Sequence, residues 1–144
     1  MAWTRLPRGT LAGIAAGIVF AEGVLLAADA MLVSVDLDAA FGGSRGTSAA
    51  AGAALGVAWL IGGAMAGMLG TLVATLRLAG LLAGASLCLP AAVLAWFAVP
   101  GPALAVAPTL APLAGAAAGC WLAGRLLLAD GLYARGGSDT GEES

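Results

Sequence analysis

The sequence predicts an all-α, polytopic membrane protein with four transmembrane helices. The first observation is its composition: 61% of the 144 residues are hydrophobic, and the mean hydropathy is +1.01. The second is that charged residues make up 10% of the chain, against about 25% in soluble domains. A water-soluble chain this small has too much surface for its volume to bury so many apolar side chains. The third is that the chain divides into four apolar stretches, each long enough to cross a bilayer.

The first predicted helix spans about 10–35 and follows a short polar segment, 1–9, expected in the cytoplasm. An alternative is a cleaved signal peptide, because Ala28 to Ala30 resembles an A-x-A cleavage site. Against cleavage, Glu22 interrupts the apolar core, and the apolar stretch is longer than that of a typical signal sequence. We therefore expect the first helix to be retained.

The remaining apolar chain consists of two uncharged stretches separated by Arg77. The stretch 46–76 fits one crossing. The stretch 78–124 is about twice as long as one crossing needs, so it must fold back, and Pro100 to Pro102 mark the bend. Two prolines early in the fourth helix predict a late start or a kink. The four predicted spans, about 10–35, 48–72, 78–99 and 103–128, form a single transmembrane domain over 10–128.

Four crossings with short connections predict an antiparallel up-down bundle with both termini on one side. The positive-inside rule places those termini in the cytoplasm, because all arginines but one share that side. The exception, Arg45, lies in the outer loop, where we expect solvated ion pairs with Asp36 and Asp38. The acidic tail, 129–144, is predicted to be disordered and cytoplasmic. The cytoplasmic arginines are Arg5, Arg8, Arg77, Arg125 and Arg135.

A faint internal repeat suggests two helical hairpins of the same orientation. Trp59-Leu60-x-Gly62 recurs as Trp121-Leu122-x-Gly124, and an Ala-Gly pattern of the first helix recurs in the third. Chance is an equally good explanation in a chain so rich in alanine and glycine. Abundant alanine and glycine, with arginine but no lysine or histidine, are typical of GC-rich coding and indicate a bacterial inner membrane protein.

Glycines form a stripe along one face of the second predicted helix. Glycine lets helix backbones approach closely, which drives helix association in lipid. The first helix has a similar pair, Gly13 and Gly17. We interpret these residues as a helix-packing interface, used either inside the bundle or to dock a second copy or another membrane subunit. The stripe consists of Gly52, Gly56, Gly63, Gly67 and Gly70.

Three acidic residues, Glu22, Asp29 and Asp36, are seven apart and share a helix face. Glu22 lies near the middle of the first predicted span, where a charge costs about 2.5–3.5 kcal/mol. No basic residue is expected at that depth. Three interpretations stay open: Glu22 is protonated, it forms a buried hydrogen bond across a helix interface, or it faces a cation or water. Glu22 and Asp29 are thus the candidate proton or cation site.

Four short helices with a glutamate, Glu22, in the first resemble the small multidrug-resistance transporters, dimeric proton antiporters for lipophilic cations. The resemblance implies that Glu22 binds a proton and a substrate alternately. It covers the topology and this one residue. The chain departs from that family in its third helix, where Leu87 to Val93 lacks the aromatic residues that line such a site. In the middle of the second helix, Trp59 is the only aromatic residue.

The motifs of other function classes are missing from the sequence. It has no histidine, no P-loop and no G-x-S-x-G pattern, so we expect no catalytic residues, metal or cofactor. It has no basic run for nucleic acid. Cys88 and Cys120 fall inside apolar runs and are predicted to be free, buried thiols.

The sequence therefore favours an accessory or assembly subunit of a membrane complex that packs laterally in the lipid bilayer. Its partners would be a second copy or other membrane subunits. The alternative is a dimeric proton-coupled transporter or channel that uses Glu22.

Overall fold

The computed structural model describes residues 2–30, 49–98 and 101–129, and within these ranges the chain is helical apart from short turns. Each helix contains a segment long and apolar enough to cross a membrane, which confirms the predicted all-α class and the four candidate crossings. The helices are α1 (Ala2–Ala30), α2 (Ala49–Ala74), α3 (Arg77–Ala98) and α4 (Pro102–Ala129).

The helix α1 begins eight residues before the predicted start at residue 10. The prediction took the polar residues of 1–9 as a boundary, whereas the backbone hydrogen-bond ladder continues through them. The Thr10 hydroxyl adds to this ladder by donating to the Leu6 carbonyl oxygen at 2.9 Å. The predicted outer-loop ion pairs of Asp36, Asp38 and Arg45, and the acidic tail beyond Ala129, lie outside the described residues.

The helix α4 begins at Pro102, so the predicted late start does not occur. Proline suits the first position of a helix because its fixed φ is helical and its missing N–H would have no partner there. The preceding Gly101 has a φ of 97°, a left-handed conformation that glycine adopts without strain. The helix then continues through Pro108 and Pro112.

The helices α2 and α3 form the centre of the bundle. Each contacts all three other helices, whereas the described parts of α1 and α4 do not touch each other. Along α1, Gly9 meets Gly70 and Gly17 meets Gly62, so α1 and α2 run in opposite directions. The helix α1 is therefore held from one side only, and its opposite side is left uncovered.

The interior of the bundle consists mostly of alanine, with a few larger side chains such as Leu55, Trp59 and Leu87. Large apolar side chains instead cover the outer surface: Leu89 is 73% exposed and Trp96 is 68% exposed. A small-residue interior with an apolar exterior is the arrangement expected of helices surrounded by lipid, where close backbone packing replaces the hydrophobic effect. The burial pattern agrees with the hydropathy in favouring an integral membrane protein.

Candidate functional site

The Glu22 side chain lies on the uncovered side of α1. The buried side of this helix carries Gly13, Gly17 and Ala21, while Glu22 is exposed. Within the described residues, the Glu22 carboxylate has no hydrogen-bond or ion-pair partner. In the described part of the chain, Glu22 therefore does not form a buried hydrogen bond to another helix. A bond to another chain stays a prediction, as does a proton or cation site.

The depth of Glu22 can be read from its neighbours on α2. Ala21, the residue before it, packs against Gly62, close to the middle of the apolar segment Gly52–Ala74. Glu22 is therefore near the mid-level of the bundle, although α1 has more residues before Glu22 than after it. The side chain of Asp29, two turns further along α1, lies outside the described residues.

The described arginines all lie far from Glu22 along the helix axes. Arg5 and Arg8 are near the start of α1, Arg77 is at the start of α3, and Arg125 is near the end of α4. No cation in the described part of the chain is thus available to Glu22. Any neutralising partner from the described segments would have to come from a second copy, and its arginines lie at the same helix ends.

Between Leu11 and Leu26, the uncovered side of α1, which we call the α1 outward face, is apolar apart from Glu22. Its side chains are well exposed, with Val19 at 65% and Leu26 at 71%. At Gly23, beside the carboxylate, a Cβ would have no described atom within 4 Å. A second helix could therefore approach α1 closely at the level of Glu22. The α1 outward face consists of Leu11, Ala15, Val19, Glu22, Gly23 and Leu26.

The glycines of the predicted stripe on α2 pack against more than one neighbouring helix. Gly63 and Gly67 pack against the backbone of α4 at Pro112 and Ala116. Near the other end of the helix, Gly70 faces Gly80 of α3, with a Cβ-to-Cα distance of 2.9 Å for a Cβ built on Gly70. These glycines are thus used for packing inside the chain.

The remaining glycines of the stripe, Gly52 and Gly56, line an open groove between α2 and the first half of α4. A Cβ at Gly56 would have no described atom within 4 Å. The groove has a volume of about 560 Å³ and an apolar lining that includes Leu60, Leu104 and Pro108. We call it the α2–α4 groove.

The predicted pair on α1, Gly13 and Gly17, also packs internally. A Cβ on Gly13 would lie 2.6 Å from the Ala66 carbonyl oxygen, and one on Gly17 would lie 3.0 Å from that of Gly62. These contacts hold α1 against α2 through backbone atoms, which is the arrangement that small residues permit in lipid.

A repeat that the sequence reasoning missed joins α2 to α4. Gly63-Ala64-x-Ala66-Gly67 recurs as Gly115-Ala116-x-Ala118-Gly119. The contacts are reciprocal: Gly63 meets Pro112 and Gly67 meets Ala116, while Gly115 meets Leu60 and Gly119 meets Ala64. The two helices thus run in the same direction and pack with local two-fold symmetry. The motif that α2 and α4 share could have revealed this repeat in the sequence.

The repeat proposed from the sequence, which pairs Trp59 with Trp121, places its two tryptophans in different environments, since Trp59 is buried and Trp121 is exposed.

Trp59 fills the interior beside Leu55 and Leu87 and is only 4% exposed. Its indole Nε1 is buried and has no hydrogen-bond partner among the described residues. Both cysteines are free thiols, as predicted, with Cys120 buried and Cys88 partly exposed. The described residues contain no group of three histidine, cysteine or acidic side chains that could hold a metal.

The chain was also compared with known proteins. No protein-family model, curated protein sequence or solved structure matches it.

Proposed function

We propose that the chain is an accessory or assembly subunit of a membrane complex, which packs laterally against other membrane subunits or a second copy. In this proposal its helices cross a bacterial inner membrane as an antiparallel up-down bundle with cytoplasmic termini. The observation that supports it is the α1 outward face, which carries, near the mid-level of the bundle, a carboxyl group with no partner among the described residues.

The energetic argument starts from Glu22. A charged residue at the bilayer centre costs about 2.5–3.5 kcal/mol on insertion scales. In lipid alone this cost would have no compensation, because the described chain supplies no partner. A neighbouring helix that donates a hydrogen bond would recover part of it, since interhelical hydrogen bonds in membranes contribute about 0.6–2 kcal/mol. The open backbone at Gly23 provides the room for such a helix.

The experiment compares bulky substitutions on two exposed faces. Val19→Trp enlarges a side chain beside Glu22 on the α1 outward face, and Leu89→Trp is the matched control on the exposed surface of α3. The proteins are extracted in mild detergent, and the mass of the assembly is measured by light scattering. We expect the wild type and Leu89→Trp to have the mass of an oligomer or complex. We expect Val19→Trp to lose this assembly and to have a lower mass.

A second pair of variants tests the carboxyl group itself. Glu22→Gln keeps a hydrogen-bonding side chain and should retain the assembly, whereas Glu22→Leu should weaken it. A monomeric wild type, or an assembly that Val19→Trp leaves intact, would contradict the proposal.

The Glu22 carboxylate, for which the described part of the chain supplies no partner, also supports a second candidate function, a dimeric proton-coupled transporter or channel. Because Trp59 fills the bundle interior, the pathway would run between two copies along the α1 outward face. The test is flux of protons and of a lipophilic cation, tetraphenylphosphonium, into proteoliposomes. Glu22→Gln should abolish coupled flux without changing the circular dichroism spectrum, and absence of flux in the wild type would exclude this candidate for these ions.

A further inference from the structure

A small pocket with both polar and apolar lining residues lies at the end of the bundle where α2 turns into α3, beside the last turns of α4. It has a volume of about 260 Å³, several times that of a water molecule. It differs from the α2–α4 groove in having a charged group in its lining. The residues that line it are Thr71, Thr75, Leu76, Arg77, Gly124, Leu127 and Leu128.

The guanidinium of Arg77 supplies the hydrogen-bond donors of this pocket. The Thr71 hydroxyl already donates to the Cys120 sulfur at 3.2 Å, and the Thr75 hydroxyl donates to the Ala74 carbonyl oxygen at 2.6 Å. The guanidinium has no hydrogen-bond or ion-pair partner within the described residues. It therefore offers several donors in a planar arrangement that suits phosphate and carboxylate groups.

The position of this guanidinium depends on Gly124. A Cβ built on Gly124 would lie 2.5 Å from Nη2 of Arg77 and 3.2 Å from Cζ and Nε. The charged group thus rests on the α4 backbone, in space that any larger residue would take. Glycine at this position lets the arginine lie against α4 instead of extending away from the bundle.

Among the described residues, the charged side chains at this end of the bundle are all positive. Arg5, Arg8 and Arg125 lie at the same end as Arg77, while the described acid Glu22 is at mid-level on another face. The helix dipoles largely cancel here, because two helix N-termini and two C-termini meet at this end. The arginines therefore determine the sign, and the pocket favours an anion.

We propose that this pocket binds the phosphate of an anionic phospholipid. Arg77 begins one candidate span and Leu128 ends another, so the pocket lies at the depth where lipid headgroups meet the apolar core. The guanidinium binds the phosphate through charge-assisted hydrogen bonds. Leu127 and Leu128 provide an apolar wall for the first part of an acyl chain. Basic pockets between helices at the cytoplasmic side are known to suit such headgroups.

The test measures lipid binding to the purified full-length protein in an uncharged detergent by native mass spectrometry. Phosphatidylglycerol and phosphatidylcholine with identical acyl chains are compared. We expect the wild type to prefer phosphatidylglycerol, and Arg77→Gln to lower that affinity by about tenfold or more, as expected for loss of a charge-assisted hydrogen bond. Arg125→Gln is the matched control, because this arginine stacks on Trp121, with its guanidinium carbon 4.1 Å from the ring centroid, and does not line the pocket. Its loss removes a nearby positive charge but no group that binds the phosphate, so it should lower the affinity much less than Arg77→Gln.

A second variant keeps every charge. Gly124→Ala should fold, because the atoms it displaces are the far end of a flexible side chain, yet it should weaken phosphatidylglycerol binding by moving the guanidinium. Equal losses in Arg77→Gln and Arg125→Gln, or wild-type affinity in Gly124→Ala, would overturn the proposal.

Two further arms distinguish other occupants of the pocket. Displacement of the lipid by millimolar glycerol 3-phosphate would identify a soluble phosphate as the ligand and overturn the lipid assignment. The chain's own acidic tail is tested by neutralising it. If the wild type shows no preference and the neutralised chain gains one, the tail is the occupant and the proposal is wrong. The neutralised chain carries Asp130→Asn, Asp139→Asn, Glu142→Gln and Glu143→Gln.

Discussion

Substituting alanine at Gly63 should destabilise the protein, whereas the same substitution at Gly56 should not. Both glycines belong to the stripe on α2, and both lie in the interior of the helix. Gly63 packs directly on the α4 backbone at Pro112, while Gly56 opens into the α2–α4 groove. The pair therefore isolates the effect of interhelical contact from the effect of the residue change itself.

The magnitude follows from the contact distances. A Cβ at Gly63 would lie 2.6 Å from Cα and 2.7 Å from the carbonyl carbon of Pro112, whereas ordinary contact begins at 3.4 Å. The Pro112 carbonyl oxygen would lie closer still, so the backbones must separate locally by at least 3.4 minus 2.6, or about 0.8 Å. Overpacking of this kind costs about 1–3 kcal/mol. The higher helix propensity of alanine contributes up to about 1 kcal/mol at both sites and cancels in the comparison. We expect Gly63→Ala to be about 1–3 kcal/mol less stable than Gly56→Ala.

The assay uses the buried thiol of Cys120, which lies among α2, α3 and α4 and is 4% exposed. In a Cys88→Ala background, the labelling of Cys120 by a maleimide is followed during titration with sodium dodecyl sulfate. Gly63→Ala should shift the midpoint to lower denaturant, and Gly56→Ala should leave it unchanged or raise it. Coincident midpoints for the two variants would refute the assignment of Gly63 to a close α2–α4 contact.

Two further substitutions test local features of the interior and the α2–α3 turn. Trp59→Phe removes a buried indole N–H that has no described partner, a group whose burial costs about 1–3 kcal/mol, so the loss of ring area should be largely offset. Its free energy of unfolding, measured by heating in detergent, should match that of the wild type within about 1 kcal/mol. A much larger loss of stability would show that the N–H is hydrogen-bonded. Thr75 has a φ of 57°, which costs an L-residue about 1–2 kcal/mol. Thr75→Gly should therefore unfold at a higher temperature than Thr75→Ala, which keeps this strain, and the reverse order would contradict it.

The glycine stripe shows how far a helical pattern can be interpreted. Periodicity identifies residues suited to close packing, because a glycine allows backbone contact wherever it lies on a helix. Which neighbour each glycine meets depends on the positions of α1, α3 and α4 around α2. Gly63 and Gly70 therefore serve different helices, and Gly56 serves none of the described ones.

For Glu22, too, some properties can be read from the sequence and others depend on the positions of the helices. Its presence in an apolar segment can be read from the sequence, and so can the absence of a basic residue in the apolar stretches around it. The sequence places Glu22 roughly opposite Gly13 and Gly17 on the first helix, but it does not say which of these two sides packs against the other helices of the chain. The packing of Gly13 and Gly17 against α2 decides the question by turning Glu22 outward.

The helical class and the four apolar segments follow from the amino-acid sequence alone, since helix length and transfer free energy are sums over residues within each segment. The arrangement of the helices is needed to show which glycines face one another, that Arg77 lies over Gly124, and that a carboxyl group has no partner in the described chain. These features join residues far apart in the chain, and they depend on helix rotations that an almost uniformly apolar sequence leaves unspecified.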